Sequence, residues 1–321
     1  MKQTFKYFVI LIIEVFLLYN PIEAKTKSKK SVNADELLKR GREAFYNYDF
    51  EEAADLYDEY RSLKSKAKEE PDEELEIWET ELSIASNAFE RVQKVVIIDS
   101  ISIDESNFFK AYKLANTAGG IGPVSSYLSN VNMPGKEIGF ISEGGDYSVF
   151  PQINSDGDKR LMEANLLLDG QWEIRETLEG DFDKSGDYMF PFMSGDGQTL
   201  YFANDGEESM GGFDLFVAQK DPLTGEFLQP LNLGMPFNSP YDDYMLALDE
   251  ETGVGWWATN RNSKDGTVTI FVYLIEDIRK NYSPDIDELP ELAKVSDYKA
   301  TWEEGKEKEY RSMLEKIKNL K

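Results

Sequence analysis

Apolar residues recur at helical spacing from Asn33 to Gln93, and the pattern changes to the alternation of strands at Val95. A first helix would bury Leu37, Leu38, Ala44 and Phe45. A second would bury Phe50, Ala53, Ala54, Leu56, Tyr57 and Tyr60, and a third Leu75, Trp78, Leu82, Ile84, Ala88, Phe89 and Val92. Asn47-Tyr48-Asp49 and Pro71-Asp72 punctuate them, and Asn33 with Glu36 three residues on forms a capping box. From Val95 to Ile103 the chain is apolar and β-branched, with Ile101 and Ile103 alternating against Ser100 and Ser102, which predicts a strand. Asp104 to Leu114 predicts a short helix, and Gly119 to Pro123 a glycine-rich loop. Glu137 to Tyr273 holds short aromatic strands parted by Asp-Gly turns and glycine pairs. From Asp285 the pattern turns helical again. Trp302, Tyr310, Met313, Leu314, Ile317 and Leu320 would line one face of a C-terminal helix, with Lys316, Lys318 and Lys321 at its negative end.

The β region repeats itself. Phe150-Pro151 and Asp156-Gly157 recur 40 residues on as Phe190-Pro191 and Asp196-Gly197. Tyr201-Phe202, Ala203 and Leu215-Phe216-Val217 recur 55 residues on as Trp256-Trp257, Ala258 and Ile270-Phe271-Val272. The longer interval is attributed to an insertion, Asp221 to Tyr241. Such a period predicts stacked copies of one supersecondary unit. In each unit Asp-Gly makes a tight hairpin turn, the aromatic strand after it is buried, and Gly211-Gly212 turns the chain into the next strand.

Composition and charge narrow the function. The 321 residues carry 35 Lys and Arg against 61 Asp and Glu, a formal charge of −26, with no Cys and no His. Disulfides, Cys/His zinc sites and every mechanism that needs a His base are thereby excluded. Nucleic acid is a poor partner for such a charge, and so is anionic lipid. Met1 to Ala24 reads as a signal peptide: Lys2 and Lys6 precede an apolar run from Phe8 to Tyr19, broken by Asn20-Pro21. Residues 25–32 form a basic leader. Export to the periplasm or association with the outer membrane is the expectation.

The stretch from Asp187 to Asn204, followed by Gly211-Gly212-Phe213-Asp214-Leu215-Phe216, resembles the TolB-type, WD-repeat-like β-propeller repeat of Gram-negative envelope proteins. Asn232 to Tyr244 is similar to the inter-blade segment of that family. Gly41, Ala53 and Tyr57, with Asp49-Phe50-Glu51-Glu52-Ala53, resemble one tetratricopeptide repeat, from which Tyr60 departs. The resemblance implies a mainly β protein with helical flanks: an N-terminal helical hairpin at 33–94, a small or partial TolB-like propeller at 95–275, and a C-terminal helix at 285–321. Three copies are legible, whereas closed propellers usually have four or more blades. Either Val95 to Lys136 supplies a fourth, or the array is partial and closes against helices or a second chain. The implied function is a non-catalytic interaction or scaffold module, without cofactor, that binds another envelope or outer-membrane protein. The alternatives are a glycan-binding or glycan-cleaving propeller and a self-associating structural subunit.

Several residues are candidates for these roles. Phe237, Asn238, Tyr241, Tyr244, Trp256 and Trp257 are expected to form the partner surface, together with the insertion. Neighbours in a strand face opposite ways, so one Trp of the pair is core and the other is free to anchor a partner or stack on a sugar; the alternative is that both are covered. Asp156, Gly157, Asp196, Gly197, Gly211, Gly212 and Asp214 are expected to serve the repeat itself, Asp214 by accepting backbone N–H bonds between strands. Asp181, Asp183, Ser185, Gly186 and Asp187 match half of a calcium loop, but Phe192 stands where its bidentate Glu belongs. Asn154, Asp156 and Asp158 fail likewise, so hairpin turns are the better reading. The pairs Glu207-Glu208 and Asp242-Asp243 are the candidate glycosidase carboxylates. Gly119, Gly120 and Gly122 lack the residues of a phosphate loop.

Overall fold

The computed structural model describes residues 33–128, 137–175, 178–180, 182 and 184–318. The expected signal peptide and basic leader, and Asp181 and Asp183 of the half calcium loop, lie outside the described residues. Among the described residues three helices come first: α1 (Ala34–Tyr46), α2 (Phe50–Ala67) and α3 (Glu73–Phe89). Asn33 caps α1 by accepting from the Asp35 N–H, and Asp49 caps α2 by accepting from the Glu52 N–H. Gly41 lets α1 and α2 approach, since a Cβ there would lie 2.4 Å from the Tyr57 ring. The helices bury Leu37, Phe45, Ala53, Tyr57, Tyr60 and Leu75 in one cluster. Met210, Met235, Leu289 and Ala293 from the rest of the chain join it, so the helical unit is seated on the β region.

Among the described residues thirteen strands make three antiparallel sheets. The first has the order β2-β3-β4-β5-β6, from Gly120–Pro123, Ile138–Ile141, Tyr147–Ile153, Lys159–Leu166 and Trp172–Arg175. The second has the order β10-β9-β8-β7, from Leu231–Asn232, Asp214–Gln219, Thr199–Asn204 and Tyr188–Met193. The third has the order β1-β13-β12-β11, from Ile97–Asp104, Thr267–Leu274, Val254–Thr259 and Asp243–Asp249. The β region therefore begins and ends in one sheet: β1 holds in the third the outer edge that β10 holds in the second.

The second and third sheets share one pairing register. Met189 faces Ala203 and Phe192 faces Tyr201; 55 residues on, Tyr244 faces Ala258 and Ala247 faces Trp256. Both inner strands carry a bulge at the same place, with Phe190 at φ 53° and Met245 at φ 51°. The first sheet matches the second at a different interval from the expected 40. Phe140 faces Val149 and Ile141 faces Ser148, 52 residues before Phe192, Tyr201, Met193 and Leu200. The turns agree at the same spacing: Gly145 N–H donates to Ser142 O as Gly197 N–H donates to Ser194 O, and both glycines have φ near 68°. Asp156 and Gly157 instead turn β4 into β5, one hairpin later than Asp196 and Gly197 turn β7 into β8. The Phe-Pro and Asp-Gly coincidence had suggested the wrong hairpin; hydrogen-bond register is the physical criterion.

Val95 to Lys136 builds no sheet of its own among the described residues. It contributes β1 to the third sheet and β2 to the first. Between them Glu105–Ala111 is a 3-10 turn rather than an α-helix, and the expected glycine-rich loop is mostly strand β2. This crossing segment ties to the third sheet's inner strand: Tyr112 O–H donates to Met245 O at 2.7 Å, and Ala115 N–H to Asp249 Oδ2 at 2.9 Å. The C-terminal part holds α4 (Leu289–Lys294) and α5 (Glu307–Lys318). Trp302 precedes α5 instead of lying on it, and its indole N–H donates to Ile97 O at 2.7 Å. Tyr310 and Ile317 are buried against the β core, so α5 covers the outer edge of the third sheet. No helix among the described residues is long and apolar enough to cross a membrane.

Candidate functional site

The expected partner surface is interior. Trp256 and Trp257 are 1% and 0% exposed. They do face opposite sides of β12, as strand geometry requires, but both sides are covered. Trp256 belongs to the cluster at the centre of the sheets; Trp257 packs with Phe237, Phe271 and Tyr273 between the second and third sheets. Phe237, Asn238 and Tyr244 are buried as well, and Tyr241 is half-buried against Tyr46 of α1, ring centroids 5.2 Å apart. Residues 235–240 of the insertion are buried beneath the helical unit, while 222–226 are exposed. Packing against neighbouring elements covers both faces of β12, so neither Trp is open to solvent.

A buried polar network pins that segment. Arg261, 1% exposed, forms an ion pair with Asp243 and donates to Pro236 O and Phe237 O at 2.9 Å and to Thr259 Oγ1 at 3.0 Å. Burial works against the charge of Arg261, yet Asp243 holds its pKa above the usual value. Asp243 also accepts from Ser239, so it is not free for chemistry. Asn238 bridges to β9, accepting from Leu215 N–H and donating to Leu215 O. Asp214 is buried; its Oδ2 accepts from Met210 N–H and Asn232 Nδ2–H, and its Oδ1 has no partner among the described residues. Burial pushes its carboxyl well above the ordinary aspartate range. Gly211 passes so close to the next segment that a Cβ would lie 2.3 Å from the Pro240 carbonyl carbon.

The turn carboxylates are engaged in turns. Asp196 accepts from Gln198 N–H and Thr199 N–H, and Asn154 accepts from Asp156 N–H and Asp158 N–H. Asp187 accepts from Lys159 N–H and joins the second sheet to the first. Glu207 lines a cleft of about 500 Å³ between α3 and the loops at 185–186 and 205–212, with Glu76, Glu81 and Asp205. Glu208 lies outside that lining and pairs with Lys184. A second hollow, of about 210 Å³, opens between the second and third sheets beside Phe237 and Tyr273.

The pocket with the most distinctive lining lies where the inner strands of the three sheets meet. It measures about 390 Å³. The 3-10 turn supplies Glu105, Ser106, Phe108 and Phe109; the first sheet Glu137, Ile138 and Lys159; the second Met189, Phe190 and Phe213; the third Asp242 and Tyr244. Glu137, Met189 and Tyr244 each stand three residues before an equivalent inner-strand position, Phe140, Phe192 and Ala247. Phe190 stacks on Tyr244 with centroids 4.6 Å apart, and Phe108 meets Tyr244 edge-on at 5.3 Å and 90°. Burial raises the Tyr244 pKa, so its phenol stays neutral through physiological pH. Asp242 is used by the fold: its oxygens accept from Phe213 N–H at 3.1 Å and Asn260 Nδ2–H at 2.7 Å. Glu137 differs, because its Oε2 is shut off from solvent without a hydrogen-bond partner among the described residues. Of these residues sequence reading singled out Tyr244 and Asp242, and Tyr244 for a surface it does not occupy. The aromatic count in the inner strands was a usable signal; the convergence of three distant strands on one point was not. No family model matches this chain, and no curated protein matches its sequence.

Proposed function

We propose that this protein is an exported, non-catalytic interaction module of the bacterial envelope, built on a small propeller-type scaffold of three blades. The observation that carries the reading is the sheet closure. β1 pairs along β13 from Ile97 to Asp104, so both ends of the β region are tied into one sheet, and the inner strands leave an aromatic pocket between them. That arrangement favours binding at the inner ends of the blades over chemistry. The pocket's Asp242 is committed to structural bonds on both oxygens, and the chain has no His or Cys to act as base or nucleophile. The export signal read at Met1 to Ala24 and the likeness of Asp187 to Asn204 to TolB-type repeats support an envelope setting. The first two helices resemble a single tetratricopeptide unit and, with the third, serve in this reading as a seated cap, since their apolar face is spent on Met210, Met235 and Leu289.

Crosslinking on intact cells, read by mass spectrometry, tests this. Lys110 and Lys159 flank the pocket and should crosslink to one envelope protein. Crosslinks confined to Lys220 and Lys264, or only to other copies of the chain, would remove the pocket as the docking site.

A further inference from the structure

We infer that the pocket between the inner strands is an aromatic cage for an organic cation, the guanidinium or ammonium of an Arg or Lys side chain presented by the partner protein. This rests on the interaction-module reading and specifies what the site grips.

The lining carries the argument. Phe108, Phe109, Phe190, Phe213 and Tyr244 give it five aromatic walls, with Phe190, Phe108 and Tyr244 packed on one another edge-on and face-on. Ring faces attract cations, and the attraction strengthens as water is excluded. One ring already carries a cation within the chain: the Lys110 ammonium sits 5.9 Å from the Phe109 centroid. The second element is Glu137. Glu137 lines the pocket half-buried, with one carboxylate oxygen shut off from solvent and without a donor among the described residues, so its charge is poorly solvated and a cation in the pocket offsets it. Acidic groups also outnumber basic ones in the lining, Glu105, Glu137 and Asp242 against Lys159. A neutral sugar would meet the ring faces and donate to a carboxylate, but it would leave the net negative charge of the lining unbalanced. An anion would face three carboxylates. A flexible side chain ending in a cation meets both elements, and a pocket of about 390 Å³ admits one such side chain rather than a folded element.

The full-length chain is titrated with N-acetyl-arginine methylamide and, separately, with its neutral isostere N-acetyl-citrulline methylamide, and binding is read by saturation-transfer NMR. The arginine probe should bind roughly tenfold tighter than the citrulline probe, the size expected when a cation is held by rings and a carboxylate. Glu137→Gln should erase most of that preference. Phe109→Leu keeps the apolar volume but loses the ring face, and it should weaken the arginine probe about threefold. Lys159→Met removes the competing charge and should tighten it. Thermal unfolding of each variant checks that the fold persists. Equal binding of the two probes, no binding of either, or an unchanged preference in folded Glu137→Gln would overturn the inference. So would weaker arginine binding in folded Lys159→Met, because removing a like charge should favour a cation. If Lys110 or Lys159 crosslinks to a partner in cells while neither probe discriminates, the interaction module stands and the cage falls. If the arginine probe binds as expected but no partner crosslinks, the cage stands and the module falls.

Discussion

Replacing Arg261 with Met should cost a large part of the fold's stability. The Met side chain keeps the apolar stem but removes every guanidinium donor. Five acceptors lose a donor: Asp243, the carbonyls of Pro236, Phe237 and Ala293, and Thr259 Oγ1. All of these residues are buried, so water cannot replace the donors without opening the structure. Removing one partner of a buried ion pair typically costs about 3–5 kcal/mol, against a total stability of about 5–15 kcal/mol for most domains. The carbonyls add to this, though not independently of it. Guanidinium unfolding followed by Trp fluorescence measures the loss, because Trp256 and Trp257 lie in the strand that ends at Thr259. Adding Asp243→Asn to Arg261→Met should recover at least about 1 kcal/mol, since an amide is cheaper to bury than a lone carboxylate. The pH dependence has a definite sign. Burial pushes the Asp243 pKa up while Arg261 pulls it down. Without Arg261 burial is opposed only by the hydrogen bonds from Ser239 and Thr259, and the Asp243 pKa rises further above its unfolded value. The variant should therefore gain stability as pH falls toward the ordinary aspartate range, more than the parent does. A loss below about 1 kcal/mol, or no recovery in the double variant, would refute the claim that this ion pair anchors the segment at 236–239.

Asp214 should contribute a similar slope in the parent. Its raised carboxyl pKa makes stability fall as pH rises above the ordinary aspartate range, and Asp214→Asn should flatten that part of the unfolding-midpoint profile. Gly211→Ala should cost about 1–3 kcal/mol in chemical denaturation, because the obstacle is the Pro240 backbone rather than a side chain able to swing away. Trp257→Ala should cost about 3–5 kcal/mol and should leave arginine-probe binding by the surviving folded fraction unchanged, since Trp257 packs between the second and third sheets and does not line the pocket. Tyr112→Phe should cost about 1–2 kcal/mol in the same assay by leaving Met245 O without its donor.

The helical unit was readable because each helix is both punctuated and amphipathic. Asn33, Asp49 and Pro71-Asp72 stand at the observed starts, and residues expected to be apolar anchors, such as Leu37, Phe45, Tyr57 and Leu75, are core. The second and third sheets were equally readable, since matching residues 55 apart occupy matching register positions. The first sheet misled through composition. Asp156-Gly157 and Asp196-Gly197 are the same turn dipeptide, but a dipeptide reports a turn and not which hairpin contains it. The Trp pair misled through a missing third dimension: alternation along β12 was correctly read, while the packing of the neighbouring sheet over the Trp257 face depends on strands far away in sequence. Trp302 was placed on a helix by its spacing, yet a hydrogen bond to Ile97 fixes it just outside.

The pocket escaped the repeat for a related reason. A repeated unit preserves the residues that make its hairpins and cores, and these are what self-comparison detects. Glu137, Met189 and Tyr244 stand at one equivalent position yet share no chemistry, so alignment of the copies treats them as noise. In a scaffold whose inner strands converge, that position is where the copies face one another. Identical residues there would give three equal walls. The observed set supplies a carboxylate, a thioether and a phenol around one cavity, with Phe108 and Phe109 brought in by the crossing segment after β1. The bulges at Phe190 and Met245 belong to the same device. They hold non-glycine residues at positive φ in two inner strands, a conformation that regular pairing would not impose, and Phe190 is thereby stacked on Tyr244. The shared register thus builds the frame, and the residues that differ between the sheets at the convergence of the inner strands line the pocket.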